Sequence, residues 1–347
     1  MTDNIGWRPA AKKQDSAVAI LPRSFLMQKE MMALSILEHL GFRAITALTG
    51  VLPRAWQYWV ARRGADAYYS LDRRARDGMC ANLRGVLGTD APEALVRQET
   101  RGAFRSFGMY LAEFFGHRWL GGPFIDEHVV VIGRRNLDAA LKAGRGVIFC
   151  SGHYSNWEFG ATIVAHLGYP ITIVAQMHAN PRTNALFVEQ RRTAGVTVVP
   201  SQHGAKGALK ALRRNQTVAL MGDRPTGGPV IPVRFFGRRT CLPQGPWRIA
   251  LTSGAALLPT FVSRRLNGNF TLDIGAPLQA PPDGTLHERM AGLAQAWADR
   301  FAARVQTDPA QWAAFYAVWD GSAEETAAPA SHTLIPVGGD PGNEERA

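Results

Sequence analysis

A histidine and a carboxylate five positions apart are the residues of this chain whose types and spacing most clearly suggest chemistry. They are His153 and Glu158, within the segment Gly-His-Tyr-Ser-Asn-Trp-Glu-Phe-Gly at 152–160. A carboxylate bonded to one ring nitrogen of an imidazole fixes its tautomer and raises the basicity of the other nitrogen, which can then take a proton from a hydroxyl. We therefore expect Glu158 to orient His153 as a general base.

The elements around this pair must present it at the edge of a sheet. The run 146–150 is short, apolar and β-rich, which predicts a fully buried strand. The run 156–167 predicts a helix, with Asn156 as its N-cap. His153 would then follow the carboxyl end of a strand, where open α/β sheets place their sites. Glu158 would lie in the first helical turn, within reach of the imidazole.

The segment Gly-His-x-x-Asn-Trp-Glu resembles the His-x4-Asp/Glu signature of the lysophospholipid acyltransferase superfamily. Within that superfamily it is most similar to the lipid A biosynthesis (lauroyl/myristoyl) acyltransferases and the related phosphatidylinositol mannoside acyltransferases. The resemblance implies transfer of a fatty acyl chain from acyl carrier protein or acyl-CoA to a hydroxyl of a lipid or glycolipid. It implies neither a bound cofactor nor a metal.

The resemblance extends to two charged motifs further along the chain. An arginine shortly before a glycine is important in the family. Arg191 and Arg192 both fit here, and Arg191 is slightly favoured. Either could bind phosphate on the acceptor or on the carrier's phosphopantetheine, or simply lie on a solvated helix face. Asp223 and Arg224 directly follow an apolar strand and are expected to line the acceptor site, unless they only pair with each other.

Two apolar motifs complete the resemblance. The block Phe235-Phe236-Gly237 is expected to shape the apolar acyl channel, with core packing as the alternative for the phenylalanines. The block Gly-Ala-x-x-x-Pro ends at Pro259, which we expect to turn the chain beside the reacting thioester.

The alternation of strand and helix patterns from residue 129 onward predicts an α/β fold with a mixed, largely parallel sheet flanked by helices. The same fold, of the glycerol-3-phosphate/lysophospholipid acyltransferase type, is implied by the resemblance. We divide the chain into a flexible leader (1–25), a helical region that either lies at the membrane interface or packs in the core (26–120), an acyltransferase core (121–320) and a disordered tail (321–347).

The charge balance predicts an anionic partner. The 347 residues include 39 Lys and Arg against 28 Asp and Glu, a formal net charge of +11. An anionic membrane or an acidic acyl carrier protein fits this charge, whereas none of the usual nucleic-acid motifs is present. The three cysteines have no metal-type spacing and suggest a reducing compartment, with Cys150 a core residue rather than a nucleophile.

The N-terminal region shows no signal-peptide pattern, and its most apolar stretch, Met31–Leu52, contains Glu38, His39 and Arg43. These residues argue against a membrane span and leave two alternatives, an interfacial helix and a core helix. The apolar stripe and the aromatic residues after it are Leu34, Leu37, Ile45, Leu48, Leu52, Trp56, Tyr58, Trp59, Tyr68 and Tyr69. We expect a peripheral enzyme on the cytoplasmic face of a bacterial inner membrane. The alternative is a non-catalytic lipid-binding or scaffold protein with the same fold.

Overall fold

The computed structural model describes residues 39–116 and 120–319. Its N-terminal part is helical, as the sequence predicts: residues 39–51 are followed by three helices, α1 (Arg54–Leu71), α2 (Arg73–Leu87) and α3 (Glu93–Phe115). The predicted leader and tail, and Leu34 and Leu37 of the apolar stripe, lie outside the described residues. No helix within the described ranges is both long enough and apolar enough to cross a bilayer.

The centre of the molecule is a seven-stranded sheet in the order β1-β9-β8-β2-β5-β3-β4. Every neighbouring pair is parallel except β8 and β9, which are antiparallel, so the prediction of a mixed, largely parallel sheet is confirmed. The strands are β1 (Val129–Ile132), β2 (Val147–Ser151), β3 (Ile171–Ala175), β4 (Thr197–Pro200), β5 (Thr217–Met221), β8 (Ala256–Arg264) and β9 (Phe270–Ile274).

Helices cover both faces of the sheet, which explains why its central strands are mostly apolar. In β2, Ile148 and Cys150 face one hydrophobic cluster, whereas Val147 and Phe149 face another. Alternate residues of a strand point to opposite faces, so a strand covered on both sides is apolar on both. The helices are α4 (Gly122–His128), α5 (Arg134–Lys142), α6 (Trp157–His166), α7 (Pro181–Thr193), α8 (Gly204–Leu212), α9 (Gly245–Ser253) and α10 (Leu286–Thr307).

An antiparallel hairpin stands apart from the main sheet. Its strands are β6 (Val230–Phe235) and β7 (Arg238–Pro243), joined by Phe236 and Gly237. Both turn residues have positive φ, 51° and 75°, as a two-residue hairpin turn whose twist matches its strands requires. The sequence pattern predicts a strand over residues 230–235, which is β6, but none over 238–243.

Candidate active site

Two adjacent parallel strands place a histidine and an aspartate side by side. Strands β2 and β5 pair in register to their last residues, Ser151 and Met221. Each strand is followed by one glycine and then by a polar residue, His153 after β2 and Asp223 after β5. Because parallel strands end at the same edge of a sheet, the two side chains meet although they are seventy positions apart in sequence.

The aspartate holds the histidine at two points. One carboxylate oxygen of Asp223 lies 2.8 Å from His153 Nδ1, and the other accepts the backbone N–H of His153 at 2.8 Å. The Asp223 side chain is only 6% exposed, whereas that of His153 is 24% exposed. An ionised carboxylate accepts a hydrogen bond from Nδ1–H, which keeps the proton on Nδ1 and leaves Nε2 as the basic nitrogen. Among the described residues, none bonds to Nε2.

The glycines before these residues allow the strand ends to approach their neighbours closely. A Cβ at Gly152 would lie 2.3 Å from the ring of Phe301, and one at Gly222 would lie 2.8 Å from Cys150 Sγ. Phe301 lies on α10 and is almost fully buried. The edge that carries His153 therefore rests directly on α10.

Glu158 does not take the position that we expected from its spacing. Its carboxylate accepts two hydrogen bonds from Arg191, at 3.0 Å from Nε and 2.6 Å from Nη2, and Asp223 occupies Nδ1 of His153 instead. A guanidinium binds a carboxylate through two parallel charge-assisted bonds, which a single imidazole N–H cannot match. Glu158 and Arg191 thus form a nearly buried ion pair between α6 and α7, with side chains 11% and 10% exposed.

The structure separates the two arginine candidates. Arg191 is enclosed by the rings of Phe114 and Phe187. Burial disfavours its charged form, but the charge and hydrogen bonds of Glu158 outweigh burial and raise the pKa of Arg191 above its usual value. Arg192, by contrast, points outward and pairs with Glu189 one turn earlier on the same helix.

Arg224 and Tyr316 flank the aspartate. Arg224 is exposed and stacks over the ring of Tyr316, and the Tyr316 hydroxyl donates to the backbone carbonyl of Asp223 at 3.3 Å. Burial, and then the charge of Asp223, raises the pKa of Tyr316 well above its usual value, so this hydroxyl stays protonated. The mutual salt bridge that the sequence left open between Asp223 and Arg224 is replaced by the contact with His153.

The apolar candidates lie in the framework around the site. Phe235 is buried against Phe301, Trp312 and Trp319, and Phe236 and Gly237 form the hairpin turn. Pro259 does not turn the chain, because β8 runs through it from Ala256 to Arg264. Pro259 lies opposite Cys150, at the last paired position between β8 and β2 and just before β8 begins to pair with β9. Its carbonyl accepts from Gly275 N.

A segment close to the end of the described chain closes over the loop that carries His153. The carbonyl of His153 accepts from Ala313 N at 2.8 Å, and Ser155 N donates to the carbonyl of Gln311 at 2.7 Å. Ser155, which makes the second of these contacts, has a φ of 53°, a value that non-glycine residues rarely adopt. The loop therefore depends on tertiary contacts for its conformation.

The arrangement can do one kind of chemistry with its own side chains: an oriented imidazole can remove a proton from a bound hydroxyl. In the described part of the chain, no group of three His, Cys, Asp or Glu side chains is placed to hold a metal ion. Sequence reasoning selected His153 and Asp223 separately but missed their contact. It also missed Trp157, which lies edge-on to His153 at 4.9 Å and stacks on Tyr110.

Comparison with known proteins identifies the family of this chain. Residues 27–320 match the family model of the bacterial lipid A biosynthesis acyltransferases. A phosphatidylinositol mannoside acyltransferase of Mycolicibacterium smegmatis is 30% identical over 289 residues, which cover 81% of this chain and 90% of the relative. One from Mycobacterium tuberculosis is 31% identical, covering 69% and 75%. A lipid A biosynthesis acyltransferase of Haemophilus influenzae is 21% identical, covering 68% and 80%.

Proposed function

We propose that this chain, which belongs to the bacterial lipid A biosynthesis acyltransferase family and is an acyltransferase, moves a fatty acyl chain from a thioester to a glycolipid hydroxyl. The observation that carries the proposal is the contact between His153 and Asp223 at the carboxyl edge of the sheet. A buried carboxylate on Nδ1 and an unbonded Nε2 are what a general base for a neutral hydroxyl requires.

In the proposed reaction, Nε2 of His153 takes the proton as the hydroxyl oxygen attacks the thioester carbonyl. Asp223 stabilises the imidazolium that forms. When the tetrahedral intermediate collapses, the carbon–sulfur bond breaks, and the proton passes from Nε2 to the departing thiolate. The products are an ester and a free thiol, and the enzyme returns to its starting state.

The charged candidates have separate proposed roles. The ion pair of Glu158 and Arg191 holds α6 and α7 together beside the site, because the two side chains hydrogen-bond each other. Arg224 is exposed next to Asp223, so we propose that it binds phosphate groups of the donor or of the acceptor. The donor would be acyl carrier protein or acyl-CoA, which share a phosphopantetheine thioester.

We also propose that the enzyme works at the cytoplasmic surface of the inner membrane. Among the described residues, fourteen large hydrophobic side chains are exposed, and eight of them lie between residues 40 and 71, although this segment is a small part of the molecule. They are Leu40, Leu48, Val51, Trp56, Trp59, Val60, Tyr68 and Leu71, which we call the N-terminal apolar patch. The exposed Arg62 and Arg63 lie beside it. Apolar and indole groups next to cations are typical of a surface that binds an anionic bilayer.

The test is acyl transfer by purified protein to a glycolipid extract, with radiolabelled acyl-CoA and acyl carrier protein as alternative donors. We expect His153→Ala to lower the rate by about 10²-fold or more, the contribution of a general base, with unchanged circular dichroism. Arg192→Ala, on the exposed side of α7, is the control and should keep full activity. A His153→Ala variant that turns over at the wild-type rate would overturn the mechanism.

A further inference from the structure

A buried carboxylate outside the site described above is fully occupied by hydrogen bonds. Glu113, on α3, has a side chain only 2% exposed. One of its oxygens accepts from Tyr58 Oη and Arg264 Nε, each at 2.7 Å. The other accepts from Arg264 Nη2 at 2.7 Å and from Asn156 Nδ2 at 2.9 Å. Residues of α1, of β8 and of the loop after His153 therefore converge on one group.

Arg264, the counter-ion of Glu113, is also buried and hydrogen-bonded. The Arg264 side chain is 7% exposed, and its Nη1 donates to Ser106 Oγ at 3.1 Å. Burial alone would lower the pKa of Arg264, but the charge and hydrogen bonds of Glu113 outweigh burial and raise it. Taking two charges out of water is costly, and apolar residues of similar size often stabilise a fold as well or better. The pair therefore calls for a reason other than stability.

The contacts of the three residues that follow His153 suggest that the ion pair positions the loop. Asn156 caps α6 by accepting from Phe159 N at 2.9 Å, while its amide reaches Glu113. Ser155 Oγ accepts from the backbone N–H of Arg264 at 3.1 Å, and this N–H also donates to Gln311 at 2.8 Å. The ion pair thus holds Asn156 through Glu113, while the backbone of Arg264 holds Ser155, the residue with positive φ.

We propose that Glu113 is a positioning residue for the transfer reaction: with Arg264 it fixes Asn156, and so sets where Nε2 of His153 points. The inference rests on the proposed role of His153. The opposite end of the loop is fixed by Asp223, which holds the backbone N–H and Nδ1 of His153. With Glu113 at one end and Asp223 at the other, the loop is held on both sides of its strained residue.

Asn156→Ser tests the link without removing the helix cap. Serine caps helices about as well as asparagine but has no amide to reach Glu113. We expect kcat to fall by about 10²-fold, because displacing a reacting group by about 1 Å can cost that much, while KM for both substrates stays within about twofold. Asp72→Ser is the matched control, since Asp72 caps α2 through Ala75 N, and it should keep kcat.

Glu113→Gln and Tyr58→Phe test the network from its other side. Glu113→Gln should lower kcat as Asn156→Ser does, and Tyr58→Phe should do so less, because it removes a single neutral donor. Asp66→Asn is the control, since Asp66 joins the same two helices through Arg101 and Arg105, at 2.8 Å each, without touching the loop. Should Glu113→Gln fail to fold, Asn156→Ser still decides the question.

A spectroscopic readout separates positioning from general stability. The proton between His153 Nδ1 and Asp223 should give a low-field NMR resonance in the wild type, assigned by its loss in His153→Ala. We expect Asn156→Ser to shift or broaden this resonance while Asp72→Ser and Asp66→Asn retain it. Wild-type kcat and an unchanged resonance in Asn156→Ser would overturn the positioning role alone, whereas an active His153→Ala would overturn the proposed mechanism.

Discussion

The basicity of His153 depends on a residue seventy positions away in sequence. Asp223 lies nearly buried against Nδ1, so an isosteric change at that position removes the charge while keeping the shape. An amide at residue 223 can hydrogen-bond the ring but cannot stabilise an imidazolium, and it can also favour the wrong tautomer.

We therefore expect Asp223→Asn to lower kcat by about 10²-fold or more, within the range of general-base effects. Glu158→Gln should lower kcat less than Asp223→Asn, because it weakens the pair with Arg191 and leaves the contact to His153 in place. Initial rates at saturating donor and acceptor check this order. A larger loss in Glu158→Gln would mean that the carboxylate of the His-x4-Glu motif turns to the imidazole during turnover.

The sequence was sufficient to select His153, Asp223 and two candidate arginines, Arg191 and Arg192, but not to pair any of them with its partner. Residue spacing along the chain suggested Glu158 as the partner of His153, because only local distances can be read from a sequence. Which strand lies beside β2 is decided by the order β8-β2-β5, and that order depends on the packing of the whole chain. The ion pair of Glu113 and Arg264 could not be predicted for the same reason, since the two residues lie on separate elements with no shared motif.

At the scale of elements, the catalytic edge is built by contact between strand ends and α10. Gly152 has no room for a side chain, because three ring carbons of Phe301 would lie within 2.9 Å of a Cβ. Phe301 is itself enclosed by Phe261 and Trp297 and cannot easily move aside.

Gly152→Ala should therefore destabilise the fold by about 1–3 kcal/mol, the usual cost of overpacking a core. Gly228→Ala is the control, since nothing lies within 4 Å of a Cβ there. Urea unfolding followed by tryptophan fluorescence measures both. Equal urea midpoints for the two variants would show that α10 can shift to make room for a side chain at residue 152.

Most elements could be predicted because their sequence patterns are strong. The buried strands are apolar runs, and some helices begin at side-chain caps, such as Asn156 and Thr285. Strand β7 was missed because Arg-Arg-Thr-Cys-Leu-Pro has neither an apolar run nor a clean alternation. It is a strand because β6 and the turn at Phe236 and Gly237 bring it back antiparallel.

At the scale of the whole molecule, the positive charge and the N-terminal apolar patch should act together. The patch supplies apolar burial, and each arginine near an anionic surface contributes about 1 kcal/mol. Not every aromatic residue of this region takes part, since Tyr58 turns inward to Glu113.

We expect the protein to sediment with vesicles that contain anionic lipid, and to be partly released at ~0.5 M salt, where the Debye length is short. The double variant Trp56→Ser/Trp59→Ser should bind less. Leu286→Ser, at an exposed leucine on α10, should bind as the wild type does. Equal binding to neutral and anionic vesicles would assign the positive charge to another partner, such as an acyl carrier protein.

The closure of the His153 loop by residues 311–313 has a consequence for biosynthesis. A ribosome releases the chain from the N-terminus, so β2, β5 and the base with its aspartate leave the exit tunnel long before Gln311 and Ala313. Until then Ser155 lacks the backbone bond to Gln311 that holds its unfavourable conformation. The nascent chain can thus form strands β2 and β5 while the base stays unaligned, and reactive thioesters meet a competent site only after residues 311–313 have left the tunnel and packed on the loop.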